Sequence, residues 1–458
     1  MASTNISRTQ TGGNRKTWTL SVWLKRADIA SDQVIFKSYT SANDHIYVRF
    51  NSNNDMYMES ATGGASKISF TTNRKFRDIG AWMHVCLKVD MSQATSTDRW
   101  KLFINGIDEA DVGGYSSSNY ASQNDDLAMN LNGATLYIGS HQSSGEYFEG
   151  VMSHYQYIDG LALAPTEFGE VDSTSGIWKI KTGSYGTPGT NGFHLKMEDS
   201  SNLDLDSSSN ALTFTTTGTL TATKDNPSTN YPTGNPLLWS SSWTGSLTNG
   251  NNTLVGSSSG DTYNSLFSTL AAHKKGKWYA EFNLTTSGNA DIIAGIASPE
   301  ASQKSAQSAK IFSSSYITNG NGYGLSLYDG IVYYQNAGST GQSDISGDMT
   351  QNDIVGIYLD LDANKIYFAK NGAVLNSGTG IAITNDIYNF TAADAAQSTA
   401  AGGDMNFGNG YFGTNVISGA VADAGGEGLF KYNPSTGTFD GSSKDFRCLN
   451  TKNIATYG

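Results

Sequence analysis

Residues 353–375 read DIVGIYLDLDANKIYFAKNGAVL, and this run decides the fold class. Val355, Ile357, Leu359 and Leu361 alternate with Gly356, Tyr358 and Asp360, the period of two that a strand with one buried face requires. Asp362-Ala363-Asn364-Lys365 supplies turn chemistry, with Asn364 suited to the left-handed conformation that most residues avoid. Ile366, Tyr367 and Phe368 form the return strand, and Asn371-Gly372 makes a second tight turn, where two positive φ angles favour that dipeptide. The same device stands about 270 residues earlier: Met83, Val85, Leu87 and Val89 alternate, a strand follows at residues 100–104, and Asn105-Gly106 turns the chain. Two copies of one hairpin predict two sheet-built domains.

Composition agrees. A chain of 458 residues is long for one core and suits two domains. Gly 51 against Pro 7, with Ser, Thr and Asn between short apolar runs, describes strands and turns. Only residues 267–272 and 391–401 carry even a mild helical signal, and both are small-residue segments that also read as loops. The net charge of −12 and isoelectric point near 4.9 argue against nucleic-acid binding, which needs a basic face. Lys274-Lys275-Gly276-Lys277, the densest basic run, reads as a solvated turn before a strand at 278–284. Residues 1–16 lack the apolar stretch of a secretory signal, and no run reaches the ~20 apolar residues of a membrane span. Cys86 and Cys448 fall in different predicted domains, which predicts two reduced thiols.

Short strands at hairpin spacing, beginning with Trp18, Leu20, Val22 and Leu24 on one face of residues 17–25, indicate a sandwich. That segment, with Trp82-Met83-His84-Val85, Lys101-Leu102-Phe103-Ile104-Asn105-Gly106, Leu136-Tyr137-Ile138-Gly139 and Phe148-Glu149-Gly150-Val151, resembles the laminin G / concanavalin A-like lectin domain over residues 1–170. Later, Gly276-Lys277-Trp278-Tyr279-Ala280-Glu281, Asp353-Ile354-Val355-Gly356 with Asp360, and Phe368-Ala369-Lys370-Asn371-Gly372 resemble the SPRY domain. Ile158-Asp159-Gly160-Leu161-Ala162-Leu163-Ala164-Pro165, Gly192-Phe193-His194-Leu195 and Asp225-Asn226-Pro227-Ser228-Thr229-Asn230-Tyr231 are similar to phrases of virion-associated proteins of marine tailed phages. Phe446-Arg447-Cys448-Leu449-Asn450 resembles the closing phrase of SPRY domains in the same phage proteins.

These resemblances imply an all-β chain of two concanavalin-like antiparallel β-sandwich (jelly-roll) domains, at residues 1–175 and 237–458. Residues 176–236 are expected to be a Pro/Ser/Asn-rich connector packing on the first domain, with Pro227, Pro232 and Pro236 stiffening its exit. Asp199, Asp204 and Asp206 lie there among Ser and Asn. Oxygen ligands at that spacing suit Ca²⁺, and the same residues also suit a solvated acidic turn; the glycine-turned loop and terminal Glu of an EF-hand are missing.

Catalytic signals are thin. Gly256-Ser257-Ser258-Ser259-Gly260 has the letters of a nucleophile elbow, but no helix is predicted after it. Sandwich glycosidases carry E-x-D-x-x-E along one strand, whereas Glu167, Glu170 and Asp172 stand in another order, and Glu146 and Glu149 fall on opposite strand faces. The six histidines never form H-x-x-x-H, so no zinc site is expected. His84 and His154 read as sheet histidines.

What remains is recognition. Sugars stack their C–H faces on aromatic rings while amides and carboxylates read the hydroxyls. Tyr115, Tyr120, Tyr147 and Tyr155 are candidates in the first domain, and Tyr316, Tyr323, Tyr328, Asp329, Tyr333 and Tyr334 in the second; packing between strands is the competing use of every such ring. The expectation is a non-enzymatic phage virion protein, a tail fibre or surface projection binding host cell-surface glycans. It would contact other virion proteins, form a homo-oligomer (a trimer if a fibre), sit on the virion surface, and be made in the host cytoplasm. The alternatives are a head decoration protein contacting mainly other virion subunits, and a polysaccharide-degrading enzyme.

Overall fold

Strand β2 (Thr17–Arg26) is buried along nearly its whole length, because both of its faces are covered. Trp18, Leu20, Val22 and Leu24 point into the first core, while Ser21 and Trp23 meet His84 on the other side, where Trp178 stacks on His84 in turn. The computed structural model describes residues 4–142, 145–181, 187–238, 245–256, 264–286, 292–300, 321–336, 339–346, 348–384, 387–394 and 400–458. The chain divides into two units, Met1–Ala222 and Thr223–Gly458.

In the first unit β1 (Asn5–Thr9), β2, β3 (Gln33–Ser41), β4 (Asp44–Phe50), β5 (Met56–Thr62), β6 (Ala65–Thr72), β7 (Met83–Asp90), β8 (Trp100–Ile104), β9 (Ile107–Asp108), β10 (Tyr115–Asn119), β11 (Thr135–Ile138) and β12 (Gly150–Asp159) follow in order. The hairpin β13 (Gly169–Val171) and β14 (Trp178–Ile180), then β15 (Phe193–Leu195) and β16 (Thr215–Thr217), complete it. An eight-stranded sheet in the order β10-β6-β5-β4-β3-β11-β1-β16 faces a six-stranded sheet β15-β12-β2-β7-β8-β9. Their facing residues, such as Phe36, Val48, Met58 and Phe70 against Leu20, Val22, Val85 and Leu87, form one core.

The second unit repeats the plan with β17 (Ser246–Thr248), β18 (Thr253–Val255), β19 (Asn264–His273), β20 (Lys277–Leu284), β21 (Ile292–Ala297), β22 (Gly322–Ser326), β23 (Ile331–Asn336), β24 (Ser339–Asp344), β25 (Ile354–Asp360), β26 (Lys365–Lys370), β27 (Ala373–Val374), β28 (Ile381–Ala382), β29 (Ile387–Asp394) and β30 (Gly402–Asn406). One sheet runs β17-β18-β30-β20-β25-β26-β27 and the other β19-β29-β21-β22-β23-β24. β25 and β26 pair from Val355↔Lys370 to Asp360↔Lys365, the hairpin read from the sequence. Asn364 (φ 53°), Asn371 (φ 49°) and Gly372 (φ 81°) are left-handed there, as are Asn105 (φ 50°) and Gly106 (φ 79°) in the first unit.

The mild helical signal at residues 267–272 is corrected by the structure, which places them in β19. Ser268, Thr269, Ala271 and Ala272 are too small to show alternation. Pairing with β29, with a register shift between Phe267 and Ala271, overrides local preference. Residues 391–394 likewise end β29, and 395–399 lie outside the described residues. Both cysteines are buried and free. Among the described residues, no helix is long and apolar enough to cross a membrane.

Candidate functional site

Register assembles a polar aromatic face on the outside of the eight-stranded sheet. Tyr137 pairs with Lys37, Lys37 with Tyr47 and Tyr47 with Glu59, so one row crosses β11, β3, β4 and β5. Tyr39 opposite His45 and Arg49 opposite Tyr57 flank it. Side chains two apart on a strand share a face, so the residues that alternate with these, among them Phe36, Ile46, Val48 and Met58, fill the core instead.

The rings touch. Tyr47 lies 5.7 Å from Tyr57 and 5.7 Å from His45, and meets His141 edge-on at 5.6 Å. Two cations run between them: Lys37 Nζ sits 4.9 Å from the Tyr39 ring and 5.3 Å from Tyr47, and the Arg49 guanidinium 5.5 Å from Tyr57. Both phenols donate to Glu59 Oε2, Tyr57 over 3.1 Å and Tyr47 over 3.4 Å. Arg49 is held by Glu146 Oε2 and Asp32 Oδ2, each at 3.0 Å, and by Asn51 Oδ1 at 2.8 Å. Glu146 reaches it from a loop with left-handed backbone at Gly145 and at Glu146 itself (φ 46°), fixed by the Val34 N–H donating to the Glu146 carbonyl.

Burial governs the protonation of this face. It pulls the Lys37 ammonium down to about 8, against the opposing pull of Glu146, and lowers His141, an effect to which the neighbouring Lys37 charge adds. Burial raises the Tyr47 and Tyr57 phenols, helped by the nearby carboxylate. For Arg49 burial works downward, but Glu146 and Asp32 outweigh it and keep the guanidinium charged. The result is a half-exposed surface of ring edges, phenols and carboxylate oxygens, rigidly cross-linked and rich in acceptors. Such a surface suits a polyhydroxylated ligand.

The tyrosines named from the sequence fall elsewhere. Tyr115 and Tyr120 flank Trp100, Tyr120 stacked on it at 4.7 Å and Tyr115 edge-on at 5.1 Å. Tyr147 is half-buried and follows Glu146 directly in the chain, while Tyr155 is a core ring. In the second unit Tyr323 packs in the core, stacked on Tyr334 at 5.8 Å. Tyr328 is exposed in a turn, and Tyr333 donates to Asp329 Oδ2 at 2.7 Å. Tyr316 lies outside the described residues.

The three aspartates serve turns. Asp206 accepts from the backbone of His194, Ser208 and Leu212; Asp199 from Ser201; Asp204 from the Thr216 hydroxyl. Among the described residues no group of His, Cys, Asp or Glu is arranged to hold a metal ion. Glu281 in β20 is likewise structural: its fully buried carboxylate accepts the N–H groups of Lys431 and Tyr432, the Asn406 amide and the Tyr279 phenol. The outer face of β4 and β5 had a signal in the sequence, the alternation of His45, Tyr47 and Arg49 and of Tyr57 and Glu59. The spacing did not show that β3, His141 and Glu146 complete it.

Comparison with known families fits this arrangement. Residues 2–167 match the concanavalin A-like lectin/glucanases superfamily, in its laminin G form, and residues 277–409 match the SPRY domain. The chain carries both domains. The aromatic face therefore lies within the lectin-like match, and Glu281, Tyr279 and Asn406 within the SPRY match, while Lys431 and Tyr432 lie beyond it; the fold class read from the sequence, paired antiparallel concanavalin-like sandwiches, is the one observed. A comparison with curated proteins gave no match. Among solved structures, the SPRY domain of human HERC1 is similar at 15% identity, covering 35% of this chain and 91% of that one, with a TM-score of 0.28. Domains LG4-5 of the mouse laminin alpha1 chain are similar at 10% identity, covering 88% and 85%, with a TM-score of 0.29. A protein from Bacteroides ovatus proposed to bind carbohydrate is similar at 12% identity, covering 47% of this chain and 56% of that one, with a TM-score of 0.32.

Proposed function

We propose that this protein recognises glycans without cleaving them, through the outer face of β3, β4 and β5. The observation that carries this reading is the Tyr47–Tyr57–Glu59 group, two phenols converging on one carboxylate at 3.4 and 3.1 Å beside Lys37 and Arg49. Aromatic bodies with fixed polar tips are what a sugar's mixed surface needs. The lectin-like domain match over residues 2–167 supports the same reading. The phage-like phrases around Asp159, Phe193 and Tyr231 support a finer one: a virion structural protein, a tail fibre or surface projection, assembled with other virion subunits and with itself, and displayed on the particle.

Purified protein incubated with host surface polysaccharide tests it. Retention with no new reducing ends is the expected result, and new reducing ends would establish an enzyme instead. Mass measurement in solution tests the oligomer: a trimer is expected of a fibre, and a strict monomer at high concentration contradicts one.

A further inference from the structure

We infer that the face takes neutral, polyhydroxylated sugar units and discriminates against sulfated, sialylated or uronic glycans; this rests on the glycan-binding reading above. An anionic sugar is normally read by a guanidinium or ammonium free to redirect its N–H groups. Neither cation here is free. Arg49 is clamped by Asp32, Glu146 and Asn51, and Lys37 is 4% exposed with its Nζ 2.7 Å from His141 Nε2. Two cations stand against the three carboxylates Asp32, Glu59 and Glu146, so the face as a whole repels an anion. The chain's net charge of −12 acts in the same direction at long range.

What the face offers is acceptor capacity. An ionised carboxylate has lone pairs for about four hydrogen bonds. Glu59 Oε2 receives the two phenols, and the carboxylate, partly exposed, keeps lone-pair capacity beyond those two bonds for sugar hydroxyls. Prying Arg49 from Asp32, Glu146 and Asn51 to greet a sulfate would break three partly buried charge-assisted contacts, a cost a neutral hydroxyl avoids.

The test immobilises the full chain and measures binding of neutral probes (dextran, mannan and N-acetylglucosamine oligomers) against anionic ones (heparin, polysialic acid and polygalacturonate) at physiological salt. Binding at least about tenfold tighter to a neutral probe than to any anionic one is expected. Tyr47→Ala should abolish it, and Glu146→Gln, by loosening Arg49, should raise retention of the anionic probes. Tighter binding of an anionic probe, lost in Arg49→Ala, overturns the inference and leaves the glycan reading standing. Binding of no probe in either class overturns both.

Discussion

Lys37 Nζ stands 2.7 Å from His141 Nε2, joining strand β3 to the loop after β11 across 104 positions of sequence. Both groups bind protons less readily in the folded chain than in the unfolded one: Lys37 is held at about 8 and His141 is lowered from 6.5, in each case first by burial. The unfolded state therefore takes up protons as pH falls, and stability falls with it. The stability advantage of the natural protein over His141→Gln should shrink as pH drops below 6.5. Thermal unfolding of the two proteins across that range measures it; a constant difference would remove His141 from the linkage.

Glu281 titrates in the opposite sense. Burial raises its folded pKa to about 7 from 4.5, outweighing the backbone N–H groups of Lys431 and Tyr432 that lower it. A raised carboxylate contributes stability that is fully present below 4.5 and is lost as pH rises through 7. Relative to Glu281→Gln, the natural protein should lose on the order of 3 kcal/mol across that window. Glu281→Ala, which removes the shared acceptor of four donors, should cost roughly 3 kcal/mol or more at any pH. Urea denaturation of the three proteins at several pH values separates these effects.

Trp178 lies against Gly106 and Gly169, and its Nε1 donates to His84 Nδ1 at 3.2 Å. A methyl at Gly169 would run into the indole ring. Gly169→Ala should therefore destabilise the first unit by about 1–3 kcal/mol, read as a lower thermal midpoint. An unchanged midpoint would mean that the Trp178 indole does not lie over Gly169 as described.

The hairpins were legible because turn chemistry and alternation are local: Asn364, Asn371 and Gly372 announce positive φ wherever they stand between apolar alternations. Thr253, Glu281 and Asp404 announce nothing of the kind, since their partners arrive from segments distant in sequence. The same holds for the candidate site. Lys37, Tyr47, Arg49, Tyr57, Glu59, His141 and Glu146 become neighbours only through the pairing of β11, β3, β4 and β5, a relation no single window contains. The pairing of Glu146 with Glu149 in sequence suggests opposite faces of one strand, yet the left-handed backbone at Glu146 aims its carboxylate at Arg49. Residues 267–272 misled for a different reason: small side chains leave the choice between strand and helix to tertiary pairing.

Hydroxyl-radical footprinting of the full chain, with and without a bound neutral polysaccharide, locates the contact residue by residue. Protection should fall on Tyr47, Tyr57 and His45. Protection confined to Tyr115 and Tyr120, or to the exposed Tyr328 turn of the SPRY domain, would show that the sheet face is not where this protein meets its ligand.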